Sequence, residues 1–170
     1  MNIYEKLLKT IDEKGAAFLV LLDPDNLPAE KIKPFTTKCE ESGVDGFLIG
    51  GSLMMQDGFD EFIKNVKKSC SIPAIIFPGG VNQLSPYADA LLYISIISGR
   101  NPEHLIGKHV LAAPIIMKMK LEPISTGYML IESGTRTTAE YMSGSTPIPR
   151  NKPEIAVATA LAAEYMGMKL

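Results

Sequence analysis

Short apolar segments alternate with longer amphipathic segments along the whole chain, and this alternation restricts the fold more than any other feature. The apolar segments, such as 16–22 (AAFLVLL) and 73–80 (PAIIFPGG), have no regular polar alternation, which is typical of strands buried on both faces. The segments between them have helical spacing of apolar residues. Buried strands that alternate with helices predict a parallel sheet covered by helices.

The preference for right-handed crossovers leaves two architectures for such a sheet, an open doubly wound sheet or a (β/α)8 TIM-type barrel. Polar or glycine residues follow nearly every predicted strand, and a barrel would collect these strand ends at one mouth. They are Asp23, Gly50–Ser52, Gly79–Gly80, Ser98–Arg100 and Glu132–Ser133. We therefore predict an α/β barrel.

The number of strands indicates that the barrel is incomplete in this chain. A full barrel typically needs about 250 residues, whereas the chain has 170. Five strands can be identified, the fifth at 122–133, and a sixth would begin at 168–170 (MKL). We expect residues 1–170 to form a single barrel domain that lacks the C-terminal strands.

Composition excludes several functional classes. The net charge of −2 gives no basic face for nucleic acid and no electrostatic reason for more than transient contact with a membrane. No apolar run approaches the roughly 20 residues that span a bilayer. Cys39 and Cys70 match no metal motif, and no secretory signal precedes them, so reduced thiols and a cytoplasmic location are expected.

The segment 18–25 (FLVLLDPD) delivers Asp23 at the carboxyl end of a predicted strand, where the active sites of such folds lie. Mg²⁺ prefers hard oxygen ligands and commonly binds through one or two carboxylates together with substrate phosphates. Asp23 is therefore a candidate metal ligand. The alternative is structural: Asp23 and Asp25 would form a turn and cap the following helix.

The segment 48–54 (LIGGSLM) follows the next predicted strand and strengthens this interpretation. Gly50 and Gly51 would let a ligand approach the backbone, and Ser52 would present a hydroxyl beside Asp23. An acid and a hydroxyl on adjacent strand ends suit a magnesium ion that bridges to phosphate oxygens. As an alternative, Gly-Gly-Ser could be the N-cap of a helix.

Three later segments supply weaker candidates. Gly79 and Gly80 form a third glycine-rich strand end, and Arg100 could meet a phosphate or remain a surface residue. Strand alternation would place Tyr128 and Glu132 on the same side of the fifth strand, where Glu132 could act as a base. His104 and His109 are five residues apart and occupy different helical faces, so surface or capping roles are expected for them.

Together these motifs resemble one family. The segments are VLLDPDN, GVDGFLIGGS, IPAIIFPGG, ALLYISIISGRNP, GYMLIESG and EYMSGSTPIPRNKPEIAVATALAAEYMGMK. Their order and spacing are similar to those of the geranylgeranylglyceryl phosphate synthases and their bacterial prenylglyceryl phosphate synthase relatives. Because of the IPRNKP segment, the chain most resembles the second of the two subgroups of this family.

The resemblance implies a modified (β/α)8 barrel that joins sn-glycerol 1-phosphate to a polyprenyl diphosphate. The products would be diphosphate and the first ether bond of archaeal-type lipids. The resemblance further implies that Asp23 and Ser52 bind Mg²⁺ and that Tyr128 lies near the reacting prenyl carbon. It also implies an oligomer of identical subunits.

The chain departs from the family pattern in two respects. The first subgroup has a lysine two residues before the metal-binding acid, and here that residue is Leu21. The family binds glycerol phosphate with loops after strands six to eight, so residues 1–170 are expected to hold only the diphosphate side of the site. Two alternatives stay open: another magnesium-dependent phosphate-binding barrel, of the aldolase or isomerase type, or an inactive barrel fragment.

Overall fold

The computed structural model describes Met1–Leu170 and contains a single sheet of five parallel strands. The strands are β1 (Leu19–Leu22), β2 (Gly46–Ile49), β3 (Ala74–Ile76), β4 (Ala90–Ile96) and β5 (Glu122–Tyr128). The helices are α1 (Ile3–Lys14), α2 (Ala29–Glu41), α3 (Phe59–Ser69), α4 (Lys108–Met119), α5 (Thr138–Ser143) and α6 (Pro153–Tyr165). The predicted alternation of strands and helices is confirmed.

The strands lie side by side in chain order, β1-β2-β3-β4-β5. A doubly wound sheet requires the strand order to reverse at one point, and this sheet has no reversal. Continuous order in one direction is the arrangement of a barrel wall. The prediction of an incomplete (β/α)8 barrel is therefore confirmed.

The core has two parts, one on each face of the sheet. On the outer face, Phe47 and Ile49 of β2 pack with Ile63 and Val66 of α3, and all four are fully buried. On the inner face, α1 covers the sheet through a second apolar cluster, which comprises Ile3, Leu7, Ile75, Ala90, Leu92 and Ile124. Burial on both faces explains why the central strands have no polar alternation.

The first turn of helix α1 is hydrogen-bonded to β5, which lies at the opposite edge of the sheet from β1. Glu122, the first residue of β5, accepts hydrogen bonds from the backbone amides of Ile3 (2.6 Å) and Tyr4 (3.1 Å). The first amides of a helix have no partner within the helix, and a carboxylate both satisfies them and complements the helix dipole. At its other end, α1 stops at Gly15 (φ +84°), as the sequence predicts.

The two outer strands differ in how they are covered. Beside β5, the amide of Lys169 donates to Ser125 O (2.8 Å), and the amide of Gly127 donates to Leu170 O (2.8 Å). The final residues thus pair with β5 where a sixth strand was predicted to begin. In β1, Leu21 is 52% exposed. The prediction that β1 is buried on both faces is wrong at this residue, because β1 lies at the sheet edge.

Two other segments differ from the sequence prediction. Strand β5 ends at Tyr128, whereas the sequence predicted a strand as far as residue 133. The apolar pattern of residues 101–120 (NPEHLIGKHVLAAPIIMKMK) predicts one helix, but a π-helical turn (Glu103–Gly107) precedes α4. Cys39 and Cys70 are both free thiols, as expected. None of the helices combines the length and apolar character needed to cross a lipid bilayer.

Candidate functional site

The ends of β1 and β2 lie side by side, as the sequence predicted. The two strands pair in parallel from Leu19 with Gly46 to Leu22 with Ile49, and the amide of Gly50 then donates to Leu22 O (3.1 Å). The residues that follow are thereby brought together. The segment Gly50–Ser52 is hereafter called the first glycine loop. The Asp23 carboxylate lies beside it, since a Cβ atom on Gly51 would be only 3.3 Å from Asp23 Oδ1.

Asp23 also shapes its own turn. Its Oδ1 accepts the amide of Asp25 (3.0 Å), and its Oδ2 accepts the side-chain amide of Asn26 (2.7 Å). The structural alternative of a turn is therefore realised. A carboxylate offers about four lone-pair positions, so these two bonds leave Asp23 free to accept further ligands.

Asp25 does not cap the following helix, because the N-cap of α2 is Pro28 and has no side-chain hydrogen bond. Instead the Asp25 carboxylate accepts the backbone amides of Met55 (2.8 Å) and Gln56 (3.2 Å). These bonds join the β1–α2 loop to the β2–α3 loop. The capping alternative is thus wrong for Asp25, which connects the two loops of the candidate site.

The first glycine loop packs tightly against Gly79–Gly80, hereafter the second glycine loop. A Cβ on Gly50 (φ +152°) would lie 2.1 Å from Phe77 O, and a Cβ on Gly79 would lie 2.2 Å from Gly51 O. The sequence predicted that these glycines leave room for a ligand. The structure shows that Gly50 leaves room for the backbone of Phe77 and that Gly79 leaves room for the backbone of Gly51; Gly50, Gly51, Gly79 and Gly80 also line a cavity.

The polar residue between the two loops is Gln83, which the sequence interpretation missed. Its side chain is 2% exposed and bonds to Gly51 and Gly79. The only signal in the sequence was an amide residue three positions after the glycine-rich strand end.

A cavity of about 230 Å³ extends from the two glycine loops toward α4. Its loop end is lined by residues that include Gly50, Gly51, Ser52, Gly79 and Gly80. Its far end is mostly apolar and includes Leu84, Leu91, Ala112 and Ile116. Asp23 does not line the cavity itself, but its carboxylate lies beside Gly51, which does line the cavity. The cavity therefore joins a polar entrance to an interior that is mostly apolar but also contains His104, Lys108 and His109.

The candidates Tyr128 and Arg100 lie in different places relative to the cavity. Tyr128 lines the cavity and packs edge to face against Phe77, with the ring centroids 5.8 Å apart. Tyr128 and Ser52 also share a second cavity beside α5. Arg100 is exposed and donates to the carbonyls of Ile97 and Gly99, outside both cavities.

Glu132 is not brought to the cavity with Tyr128. It lies beyond the end of β5, is exposed, and accepts the amide of Arg150 at 3.4 Å. The alternation that would have aligned Glu132 with Tyr128 ends with the strand. Glu132 lines neither cavity, so its catalytic role stays a prediction.

His109 is buried and lines the cavity, so the expected surface or capping role is wrong for this residue. Its Nε2 lies 3.1 Å from Ser95 Oγ, and its ring packs edge to face on Tyr93. The Tyr93 hydroxyl donates to the backbone carbonyl of His109 (2.7 Å). Burial lowers the pKa of His109, and burial together with the nearby Lys108 lowers the pKa of His104.

The lowered pKa of His109 predicts that the fold loses stability on mild acidification. Below its ordinary pKa of 6.5, the unfolded chain binds a proton at His109 that the folded chain does not bind. The free energy of unfolding should therefore fall by up to about 1.4 kcal/mol per pH unit for this group. Urea unfolding between about pH 7.5 and about pH 5.5 measures this slope.

A His109→Gln variant provides the comparison. The free energy of unfolding of this variant should fall less steeply with decreasing pH than that of the wild type. The slope that remains should include the contribution of His104, which has the same sign. Only the slopes are compared, since the substitution can itself change stability at every pH. Equal slopes in the two proteins would show that His109 does not titrate differently on folding.

The acidic and histidine side chains do not form a metal site by themselves, because no three His, Cys, Asp or Glu residues cluster. A cation at the ends of β1 and β2 would need hydroxyl, water or ligand oxygens in addition to Asp23. Mg²⁺ is commonly bound in this way, with few protein ligands and with substrate phosphates.

Comparison with known proteins adds independent information. Residues 9–170 match the model of the PcrB family. The chain is 51% identical over 169 residues to geranylgeranylglyceryl phosphate synthase of Chitinophaga pinensis, covering 99% of this chain and 67% of that protein. It is 45% identical to the synthase of Spirosoma linguale, covering 91% and 62%, and 40% identical to that of Pyrococcus furiosus, covering 99% and 64%. The chain thus spans about two thirds of the length of these relatives.

Solved structures agree with these matches. The chain superposes with a TM-score of 0.89 and 30% identity on (S)-3-O-geranylgeranylglyceryl phosphate synthase of Thermoplasma acidophilum, which was crystallised with its substrate sn-glycerol-1-phosphate. That alignment covers 99% of this chain and 68% of the other. The Thermoplasma volcanium enzyme superposes with a TM-score of 0.90 and 26% identity, covering 99% and 67%. The chain therefore belongs to the PcrB family, and the curated relatives that it matches are geranylgeranylglyceryl phosphate synthases, which are prenyltransferases.

Proposed function

We propose that the protein joins a polyprenyl diphosphate of the geranylgeranyl type to sn-glycerol 1-phosphate, releasing diphosphate and forming the first ether bond of archaeal-type lipids. The family match and the identity of up to 51% with curated synthases support this proposal. The activity is proposed for the whole protein, because the chain spans about two thirds of these relatives.

The cavity is the observation that best fits this substrate. Its entrance consists of the two glycine loops beside Asp23, and its interior is lined mostly by apolar side chains of β4 and α4, with Lys108 and His109 as polar neighbours. A prenyl diphosphate has the same division, with an anionic head and a hydrocarbon tail. A sugar phosphate would leave the apolar end without a partner. The polarity of the cavity therefore favours prenyl transfer over aldolase or isomerase chemistry.

Asp23 and Ser52 are the residues proposed to hold Mg²⁺. Asp23 retains free lone pairs, and Ser52 is exposed at the cavity wall on the adjacent strand end. Bound there, the ion would offset the negative charge of the diphosphate leaving group. The other steps of the proposed reaction rely on side chains and backbone groups of this chain.

In the proposed reaction, the C3 hydroxyl oxygen of glycerol phosphate forms a bond to the allylic C1 of the prenyl group. The bond from C1 to the diphosphate oxygen breaks, its electron pair leaves with the diphosphate, and the hydroxyl proton passes to water. The face of the Tyr128 ring, held by Phe77, would favour the cationic character that develops at C1. The apolar interior of the cavity would hold the tail so that C1 lies at the entrance.

The direct test incubates the intact protein with Mg²⁺, labelled sn-glycerol 1-phosphate and prenyl diphosphates of several lengths. The expected result is label in an organic-soluble ether lipid, which requires both substrates and disappears with EDTA. sn-Glycerol 3-phosphate serves as the stereochemical control. Turnover of sugar phosphates without prenyl transfer would instead support the rival barrel enzymes. The homo-oligomer and the cytoplasmic location stay predictions.

A larger side chain at residue 112 should shorten the prenyl group that the protein accepts. Ala112 on α4 is buried and lines the cavity, so Ala112→Phe would fill its apolar end. We expect kcat/KM for a geranylgeranyl substrate to fall about tenfold, from overpacking against the tail, while short prenyl diphosphates react almost normally. Steady-state kinetics with each chain length measure this change.

The neighbouring Ala113 supplies a matched control, because it is exposed on the same helix and does not line the cavity. Ala113→Phe should leave the chain-length profile unchanged. An equal loss for all prenyl lengths in Ala112→Phe would contradict the placement of the tail.

A further inference from the structure

Gln83 makes the contacts that join the two glycine loops. Its Oε1 accepts the amides of Gly79 (3.0 Å) and Gly51 (3.4 Å), and its Nε2 donates to Gly51 O (2.8 Å). The backbone amide of Gln83 in turn donates to Gly80 O (3.1 Å). One side chain therefore fixes both polar groups of Gly51 and one of Gly79.

The residue that Gln83 holds lies between the two proposed metal ligands. Gly51 lies beside the carboxylate of Asp23 on one side, close enough for an added Cβ to touch it, and is bonded to Ser52 on the other. A movement of Gly51 would therefore change the separation between the carboxylate and the hydroxyl. The spacing of the proposed site depends on the contact between Gly51 and Gln83.

The burial of Gln83 shows that this contact cannot be replaced by solvent. The residue is 2% exposed, and buried polar groups that lose their partner bear the full cost of desolvation. The Oε1 atom also lies 2.9 Å from where a Cβ on Gly50 would be, so the amide fills the space that the glycine leaves. No other side chain bonds to both loops.

We propose that Gln83 is a positioning residue for diphosphate binding, which acts by holding the first and second glycine loops at a fixed separation. This inference rests on the proposed function, since it assigns the loops to the diphosphate head of the prenyl substrate. Gln83 itself need not touch the substrate. Its effect on the reaction is transmitted through the position of Gly51, and thus of Asp23 and Ser52.

The test uses Gln83→Met in the intact protein, because methionine keeps the unbranched length and removes the three hydrogen bonds. Calorimetric titration with inorganic diphosphate and Mg²⁺ should show at least a tenfold weaker Kd, the range typical of residues that orient metal ligands. The KM for the prenyl diphosphate should rise more than the KM for glycerol phosphate. Amide hydrogen exchange at Gly51 and Gly79 should become faster.

Thr36→Val is the matched control for a general loss of stability. Thr36 is fully buried on α2, and its hydroxyl donates to Lys33 O (3.1 Å), away from both loops. This variant should lose thermal stability yet bind diphosphate as the wild type does. If Gln83→Met does not fold, Gln83→Asn keeps the amide but withdraws it by one methylene, and the same weakening is expected.

The outcomes separate this inference from the proposed function. Wild-type binding of Mg²⁺ and diphosphate by the folded Gln83 variant would overturn the positioning role alone. A wild-type protein that fails to bind diphosphate would overturn the proposed function, and this inference with it. Weaker binding in the Gln83 variant together with unchanged binding in Thr36→Val would support the proposal.

Discussion

Asp23→Asn is expected to lower prenyl transfer by about a hundredfold or more while leaving the fold intact. The substitution keeps the size of the side chain at the end of β1 and removes the negative charge that would attract Mg²⁺. Loss of a preorganised electrostatic contact to a developing charge typically costs 10²–10³ in rate, about 3–4 kcal/mol. Turnover of labelled sn-glycerol 1-phosphate at several Mg²⁺ concentrations measures the loss.

The fold should survive Asp23→Asn because the local contacts can be retained. An asparagine oxygen can still accept the amide of Asp25, and only the bond from Asn26 to Oδ2 has to change. Asp12→Asn serves as the control, since Asp12 is exposed on α1 and makes no contact with the strand ends. Turnover equal to that of the wild type in Asp23→Asn would remove this residue from the mechanism.

Gly50→Ala should abolish prenyl transfer for a different reason, by forcing the first glycine loop away from the end of β3 and from Gln83. The new Cβ would lie 2.1 Å from the carbonyl oxygen of Phe77, which is backbone and cannot rotate away. Forced overpacking of this kind costs about 3 kcal/mol, and the φ of +152° adds strain for any residue with a side chain. Chemical denaturation should show the loss of stability, and titration with diphosphate should show weaker binding.

Gly43→Ala separates the clash from the strain of positive φ alone. Gly43 has a φ of +76°, and a Cβ there would have no atom within 4 Å. It follows α2, at the amino end of β2, away from the candidate site. This control should lose about 1 kcal/mol and keep its diphosphate affinity. If Gly50→Ala were no more harmful than Gly43→Ala, the close packing of the first glycine loop against the end of β3 would have no energetic importance.

The sequence was sufficient to predict the features that depend on local pattern. The apolar strands, the stop of α1 at Gly15 and the adjacency of Asp23 with the first glycine loop follow from periodicity and from the geometry of parallel strands. A sixth strand was predicted to begin at residues 168–170; the structure assigns no strand there, but Lys169 and Leu170 hydrogen-bond to β5. These features are set by neighbours in the chain or by neighbouring strands.

The features that were missed depend on contacts between segments distant in the chain. Gln83 bonds to Gly51, which is 32 residues earlier, and no local pattern indicates that pairing. Glu132 was expected beside Tyr128 because the alternation continued, but the strand ended first. His109 was expected to have a surface or capping role, since no local pattern indicates that Ser95 and Tyr93 of β4 would face it. In each case a tertiary contact decided the position of the side chain.

The attachment of α1 to Glu122 has a consequence for the order of events during biosynthesis. Ile3 and Glu122 are separated by 119 residues, so α1 leaves the ribosome well before the residue that accepts its amides has been translated. Until then, Ile3 and Leu7 lack the apolar partner Ile124 and remain open to solvent or to a chaperone. Helix α1 is therefore synthesised long before it can reach its native place against β5.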